Sequence, residues 1–259
     1  MLKANDITFR VGNRELVSNV TMEFAPGKLH LIIGPNGAGK STLIKLLARL
    51  TRPFSGSVEY QGVNIAAASE QDLARRRAVL SQAIEIAFPL TVREIIMMGR
   101  YPHFSGRPTQ SDEEIVDKIA ELFDVTEFFG RNYQTLSGGE QQRVNFARIL
   151  AQIWSSQNDI CRYLFLDEPL TFLDIRHQID FMKKIRKFGT AGDIVTVGVV
   201  HDLNLAARFA DQILLLDNGR LISAGPPAEV LTRESIDQVF GVAPTLLEDT
   251  KGNINLIFE

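Results

Sequence analysis

This sequence predicts an α/β fold: a parallel sheet with helices on both faces, an antiparallel strand segment ahead of it and a helical insertion within it. Three observations carry that prediction. Apolar, strand-length runs recur at 29–33, 163–166, 194–200 and 212–216, most of them separated by helical stretches; strands covered on both faces read as continuous apolar runs. A glycine-rich stretch beginning at Gly34 leads from the first run directly into a helix, the unit on which phosphate sites are usually built. From Gln82 to Ala151 the periodicity turns helical and strand signals become few.

Taken in order, Ile7 and Phe9, then Val20, Met22 and Phe24, alternate with polar positions, and Gly12-Asn13 and Pro26-Gly27 mark turns. The run at 29–33 stops at Gly34, and a helix is expected over 40–50. Helical spacing follows at 92–98, 112–123 and 140–153. The chain then alternates: strand 163–166, helix 176–188, strand 194–200, helix 203–209, strand 212–216. Two short helices are expected over 226–240, with Thr232 or Ser235 as cap, and a hairpin over 246–258 around Lys251-Gly252-Asn253. Arg75, Arg76 and Arg77 read as neighbours on a helix that point in different directions. They imply a solvated surface rather than a nucleic-acid site.

A chain of 259 residues accommodates one large domain with an inserted subdomain. Its 45% hydrophobic and 23% charged residues are those of an ordinary globular protein. A net charge of -3 excludes a coat for nucleic acid or anionic lipid held by bulk electrostatics. The single cysteine, Cys161, has no internal disulfide partner and reads as a small buried hydrophobe. Residues 1–10 lack the basic start and apolar stretch of a secretory signal. The longest apolar run, 194–200, is far short of the roughly 20 residues that span a bilayer. The expectation is a cytoplasmic chain whose contact with a membrane runs through a partner.

Three motifs carry chemistry. Gly34-Pro35-Asn36-Gly37-Ala38-Gly39-Lys40-Ser41 fits the phosphate-loop pattern G-x-x-x-x-G-K-[ST]. Its glycines let successive N–H groups turn toward one anion, and the helix that follows adds a favourable dipole. Lys40 suits the β- and γ-phosphates, Ser41 a Mg²⁺ ion, and Thr42 extends the set. The apolar run 163–166 delivers Asp167 and Glu168 at its end, where open α/β sheets bind ligands. Asp167 suits the metal shell and Glu168 the attacking water; two solvated acids are the plainer alternative. In Leu136-Ser137-Gly138-Gly139-Glu140-Gln141-Gln142-Arg143, a hydroxyl and two glycines precede a helix and form a second anion site.

That last motif closely resembles the signature of ABC ATPases, and the resemblance spans nearly the whole chain with the motifs in the family's order. It implies a P-loop NTPase cassette with a RecA-like core over 1–82 and 152–259, an N-terminal antiparallel β subdomain, and a helical subdomain over 83–151. It implies ATP and Mg²⁺, and a homodimer in the ATP-bound state in which Ser137, Gly138 and Gly139 cap the γ-phosphate held by the other subunit. By position, Gln82 matches the glutamine that joins core to helical subdomain and senses Mg²⁺ and nucleotide. Asp174 matches the loop aspartate that acts across the dimer, and His201 the histidine that contacts the γ-phosphate. One departure stands out: the family often stacks adenine on an aromatic residue just before the first turn, and here that position is Val11. Phe9 reads as core.

The stretches Phe88-Pro89-Leu90-Thr91-Val92 and Met98-Gly99-Arg100-Tyr101-Pro102-His103 resemble cassettes of iron-siderophore, haem and cobalamin importers, in the region that meets membrane subunits. Arg100, Tyr101 and His103 read either as interface anchors or as a solvated turn. Leu150-Ala151-Gln152-Ile153-Trp154 with the residues through Arg162 resembles haem importers; Thr171-Phe172-Leu173-Asp174-Ile175 with His177-Gln178 resembles siderophore importers equally well. The implied partners are two integral-membrane permease subunits and, indirectly, a periplasmic substrate-binding protein, with the cassette on the cytoplasmic face of the inner membrane. A cassette without a membrane partner would be expected to carry a tandem copy or a coiled-coil insertion. A non-hydrolysing scaffold would fit better if Glu168 or His201 were replaced, and neither is.

Overall fold

The computed structural model describes the chain except for residues 81–87, 155–160, 172, 191–192, 251, 253 and 259. Strands β1 (Leu2–Val11) and β2 (Arg14–Phe24) form a hairpin whose two-residue turn is Gly12-Asn13. After β3 (Leu29–Ile33) and α1 (Lys40–Leu47), β4 (Ser55–Tyr60) pairs with β1, and β5 (Val63–Asn64) pairs with β4. The four make one antiparallel sheet in the order β2-β1-β4-β5. Helix α2 (Glu70–Arg76) then leads without a break into β6 (Arg77–Leu80).

Helices α3 (Val92–Met98), α4 (Gln110–Leu122) and α5 (Gly138–Ile153) follow. Each starts on a capping box, Thr91 with Glu94, Thr109 with Asp112 and Ser137 with Glu140. The box satisfies two of the N–H groups that a helix start leaves unpaired. The alternating part comprises β7 (Arg162–Asp167), α6 (Ile175–Gly189), β8 (Ile194–Val199), α7 (Leu203–Phe209), β9 (Gln212–Asp217) and β10 (Arg220–Gly225). Short helices α8 (Pro227–Val230) and α9 (Arg233–Phe240), the latter capped by Thr232, precede the hairpin of β11 (Thr245–Glu248) and β12 (Ile254–Ile257).

The six-stranded sheet has the order β10-β9-β3-β8-β7-β6 and is parallel except for β10. The α/β class read from the sequence is therefore the fold observed. Alternation along its strands divides the core. Ile32, Tyr163, Phe165, Val197 and Leu214 face α1 and the antiparallel sheet, while Leu31, Ile33, Leu164, Leu166 and Leu215 face the layer that α3, α5 and α6 help to build. Cys161 is buried, as expected.

Two basic side chains differ from the sequence reading. Arg77 is not on a helix: it opens β6 and is buried, donating to the Ala48 carbonyl and lying 3.8 Å from Glu70. Arg100 is neither solvated nor available as an interface anchor. Its Nε donates to Asp112 Oδ1 at 3.0 Å and its Nη1 to the carbonyls of Ala151 and Trp154, with 5% of the residue exposed. Tyr101 is exposed. Helix α1 ends at Leu47, short of the expected 50, because Arg49 turns the chain at φ 51° and sends its guanidinium to the Ala68 carbonyl. Among the described residues, no helix is long and apolar enough to cross a membrane.

Candidate functional site

β3, β8 and β7 are adjacent and parallel, so their C-terminal ends open onto one crevice, where sheets of this kind hold ligands. The end of β3 supplies the phosphate loop. Gly34 and Gly39 have φ of 149° and 98°, and an added Cβ would sit 2.1 Å from the Leu216 carbonyl oxygen and 2.3 Å from that of Leu16. Both positions therefore exclude any side chain. Lys40, the first residue of α1, folds back so that Nζ donates to the carbonyls of Gly34 and Pro35 at 2.8 and 2.9 Å. Burial holds its pKa below the ordinary lysine value, opposed by the charges of Glu168 and Asp167. The ammonium is thus poised against backbone oxygens that an incoming phosphate would replace with full negative charge.

The end of β7 supplies the acids. Ser41 Oγ donates to Asp167 Oδ1 at 2.8 Å, bridging the two motifs across 126 residues of sequence. Burial raises the Asp167 pKa; the Ser41 hydrogen bond opposes that shift and the neighbouring Glu168 charge adds to it. Two hard oxygens converge here, and among the described residues there is no cluster of three or more His, Cys, Asp or Glu able to hold a metal. That donor set fits Mg²⁺, which takes one or two protein oxygens and completes its shell with phosphate and water. The end of β8 supplies His201, whose Nε2 lies 2.9 Å from Glu168 Oε1. Gln82, expected to join this set, lies outside the described residues.

Asn36, Gly37, Gly39, Lys40, Ser41, Thr42 and Glu168 share a cavity of about 350 Å³. Its remaining wall is Arg14 and Leu16 of β2, which the sequence reading did not single out. The two-residue turn at Gly12-Asn13 signals that Arg14 pairs with Val11, but not that the hairpin brings it to this cavity. Phe9 is half-buried and packs on the core between the sheets, as expected, while Val11 is exposed.

Ser137, Gly138, Gly139 and Asp174 are not brought to that cavity. They line a second one, about 490 Å³, with Glu140, Arg143, Leu173 and His177. Helix α5 begins at Gly138 rather than after the glycines, so their N–H groups belong to its first turn. Ser137 caps that turn and donates its hydroxyl to Glu140 Oε2 at 2.8 Å. Asp174 caps α6, accepting from the His177 amide at 2.9 Å with His177 Nδ1 at 2.8 Å. The two cavities have no lining residue in common.

A phosphate loop, a metal-fitting acid and a histidine-paired glutamate at neighbouring strand ends place the molecule among the P-loop nucleotide-binding cassettes. A family model described as ABC transporter matches residues 17–171. Over 242 residues the chain is 43% identical to "Hemin import ATP-binding protein HmuV" of Rhizobium meliloti (strain 1021), covering 93% of this chain and 91% of that protein. A protein of the same name from Agrobacterium fabrum (strain C58) is 44% identical over 243 residues, covering 93% and 92%. Among solved structures, the ATP-binding cassette MJ0796, a dimer in a post-hydrolysis state bound to ADP and Pi, matches with a TM-score of 0.75 at 24% identity, covering 88% of this chain and 99% of that one. The chain belongs to the ABC transporter family and is an ABC-type ATPase.

Proposed function

We propose that this chain is the ATP-hydrolysing subunit of an importer that carries haem across the bacterial inner membrane. The observation that carries the ATPase site is the meeting of Lys40, Ser41, Asp167, Glu168 and His201 at the ends of three adjacent strands. In this reading the loop N–H groups of 34–41 and the Lys40 ammonium hold the β- and γ-phosphates, and Thr42 lies beside them. Ser41, Asp167 and Gln82 hold Mg²⁺, which neutralises phosphate charge when bound. Glu168 accepts the proton of the attacking water, and His201, bonded to it, orients the carboxylate and reaches toward the γ-phosphate. Ser137, Gly138, Gly139 and Asp174 serve the nucleotide of a second copy.

The cargo assignment rests on the relatives' names and on the resemblances at 150–162. Residues 83–151 act as the helical subdomain that meets two permease subunits, on the cytoplasmic face, and the core of 1–82 and 152–259 binds nucleotide. A periplasmic binding protein delivers the cargo. A strain lacking this chain should lose growth on haem as sole iron source and keep growth on a ferric siderophore. Restoring the chain as Lys40→Ala should not rescue growth. The reverse cargo pattern would replace haem by siderophore, and full rescue by Lys40→Ala would remove the ATP site from the coupling.

A further inference from the structure

The phosphate cavity has two kinds of wall. One is the loop Asn36 to Thr42 with Glu168, which deals with phosphate, metal and water; the other is Arg14 and Leu16. A nucleotide whose triphosphate lies in the loop must project its base away from it, and the hairpin is the wall that remains. Arg14 pairs directly across the strands from Val11, on the same face of the hairpin. Val11 is short and exposed, so it leaves that face open above the loop. Leu16 approaches closely enough that its carbonyl bars any side chain at Gly39, which fixes β2 against the loop.

The Arg14 side chain is exposed, and among the described residues its guanidinium has no hydrogen-bond, ion-pair or ring partner. By contrast Arg10, its near neighbour, lies 3.4 Å over the ring of Phe54. A guanidinium is flat, delocalised and weakly hydrated, and it stacks on π-faces. We propose that Arg14 is the base-binding residue of this ATPase: its guanidinium stacks on the purine of the bound nucleotide, with Leu16 packing beside it. Stacking reads a face and not an edge, so the contact serves adenine and guanine alike. The assignment rests on the ATP reading of the same cavity.

The test is equilibrium binding of Mg·ATP, Mg·GTP and inorganic Mg·tripolyphosphate to the whole chain as wild type, Arg14→Ala, Arg14→Tyr and Lys40→Ala. Arg14→Ala should weaken both nucleotides by about 5- to 30-fold, the size of a partly desolvated cation–π contact, and leave tripolyphosphate affinity unchanged. Arg14→Tyr should hold ATP within about threefold of wild type, because an aromatic ring stacks equally well. Equal losses for tripolyphosphate and ATP in Arg14→Ala would make Arg14 a phosphate contact and overturn the proposal. So would ATP binding that ignores Arg14→Ala while still depending on Lys40. A chain whose binding of all three ligands is indifferent to Lys40→Ala would instead remove the phosphate-loop reading, and the base assignment with it.

Discussion

Glu168 stands at φ 53° immediately after a six-residue strand, a backbone region that residues other than glycine seldom occupy. The turn carries its carboxylate off the sheet end toward His201, and the amide and hydroxyl of Thr171 hold its carbonyl there at 3.4 and 3.0 Å. Glutamine keeps that shape and loses the proton acceptor that the proposed mechanism assigns to Glu168. Glu168→Gln should therefore cut ATP hydrolysis by about 10²- to 10⁴-fold with ATP affinity retained; phosphate release and nucleotide binding measured side by side check both halves. Asp167 gives a pH-dependent expectation. Its native pKa is raised, chiefly by burial, so its contribution to stability is present below the unfolded value and lost as pH rises through the native one. Wherever it is ionised, the carboxylate thus weighs on the metal-free fold. Without divalent ions, Asp167→Asn should raise the unfolding temperature at pH 7 and change it little at pH 4. An equal fall at both values would contradict the burial argument.

Among the elements, those with strong period or strong punctuation were legible in the sequence. Val92–Met98 and Leu203–Phe209 appear with the expected bounds, and α5 differs only at its start. The elements that local pattern does not reveal, β4, β5, β6 and β10, are short or interrupted: Gly56 breaks the alternation of β4, and β6 has four residues directly after a helix. The convergence of the phosphate loop with Asp167 and Glu168 was legible because each motif ends a strand. The Arg14 wall was not, because it depends on how the hairpin docks on α1. Arg100 shows the same limit at a helix junction. Its partners come from the start of α4 and the end of α5, so spacing alone does not find them. With Asp112 only 4% exposed, Arg100→Ala leaves a buried carboxylate without its cation, which typically costs about 3–5 kcal/mol. Urea unfolding should show a loss of that size; a change below about 1 kcal/mol, the range of exposed pairs, would mean the carboxylate finds water.

For the whole molecule, the decisive fact is that the phosphate cavity and the Ser137 cavity share no residue. The proposed function makes this helix N-terminus, with its two glycine amides and capping hydroxyl, an anion site that must take its anion from elsewhere. In the proposed assembly two copies arranged head to tail about a two-fold axis would supply it, each placing its Ser137 over the phosphates held by the other's Lys40, since a two-fold interface builds both composite pockets at once. In that assembly closure would depend on bound γ-phosphate, because the second wall has little to grip without it. Cysteines placed at Ser137 and Asn36, in a chain carrying Cys161→Ser, report this directly. Ser137 is exposed and Asn36 lies in the phosphate loop, while the native thiol is buried and its removal prevents competing chemistry. With ATP and the Glu168→Gln background that keeps it intact, oxidation should yield a species of twice the chain mass on a non-reducing gel. Without nucleotide the same oxidation should leave single chains. A cross-link that forms with ATP inside one chain would mean that the two cavities close on each other within a protomer, and the head-to-tail pairing would have to be given up.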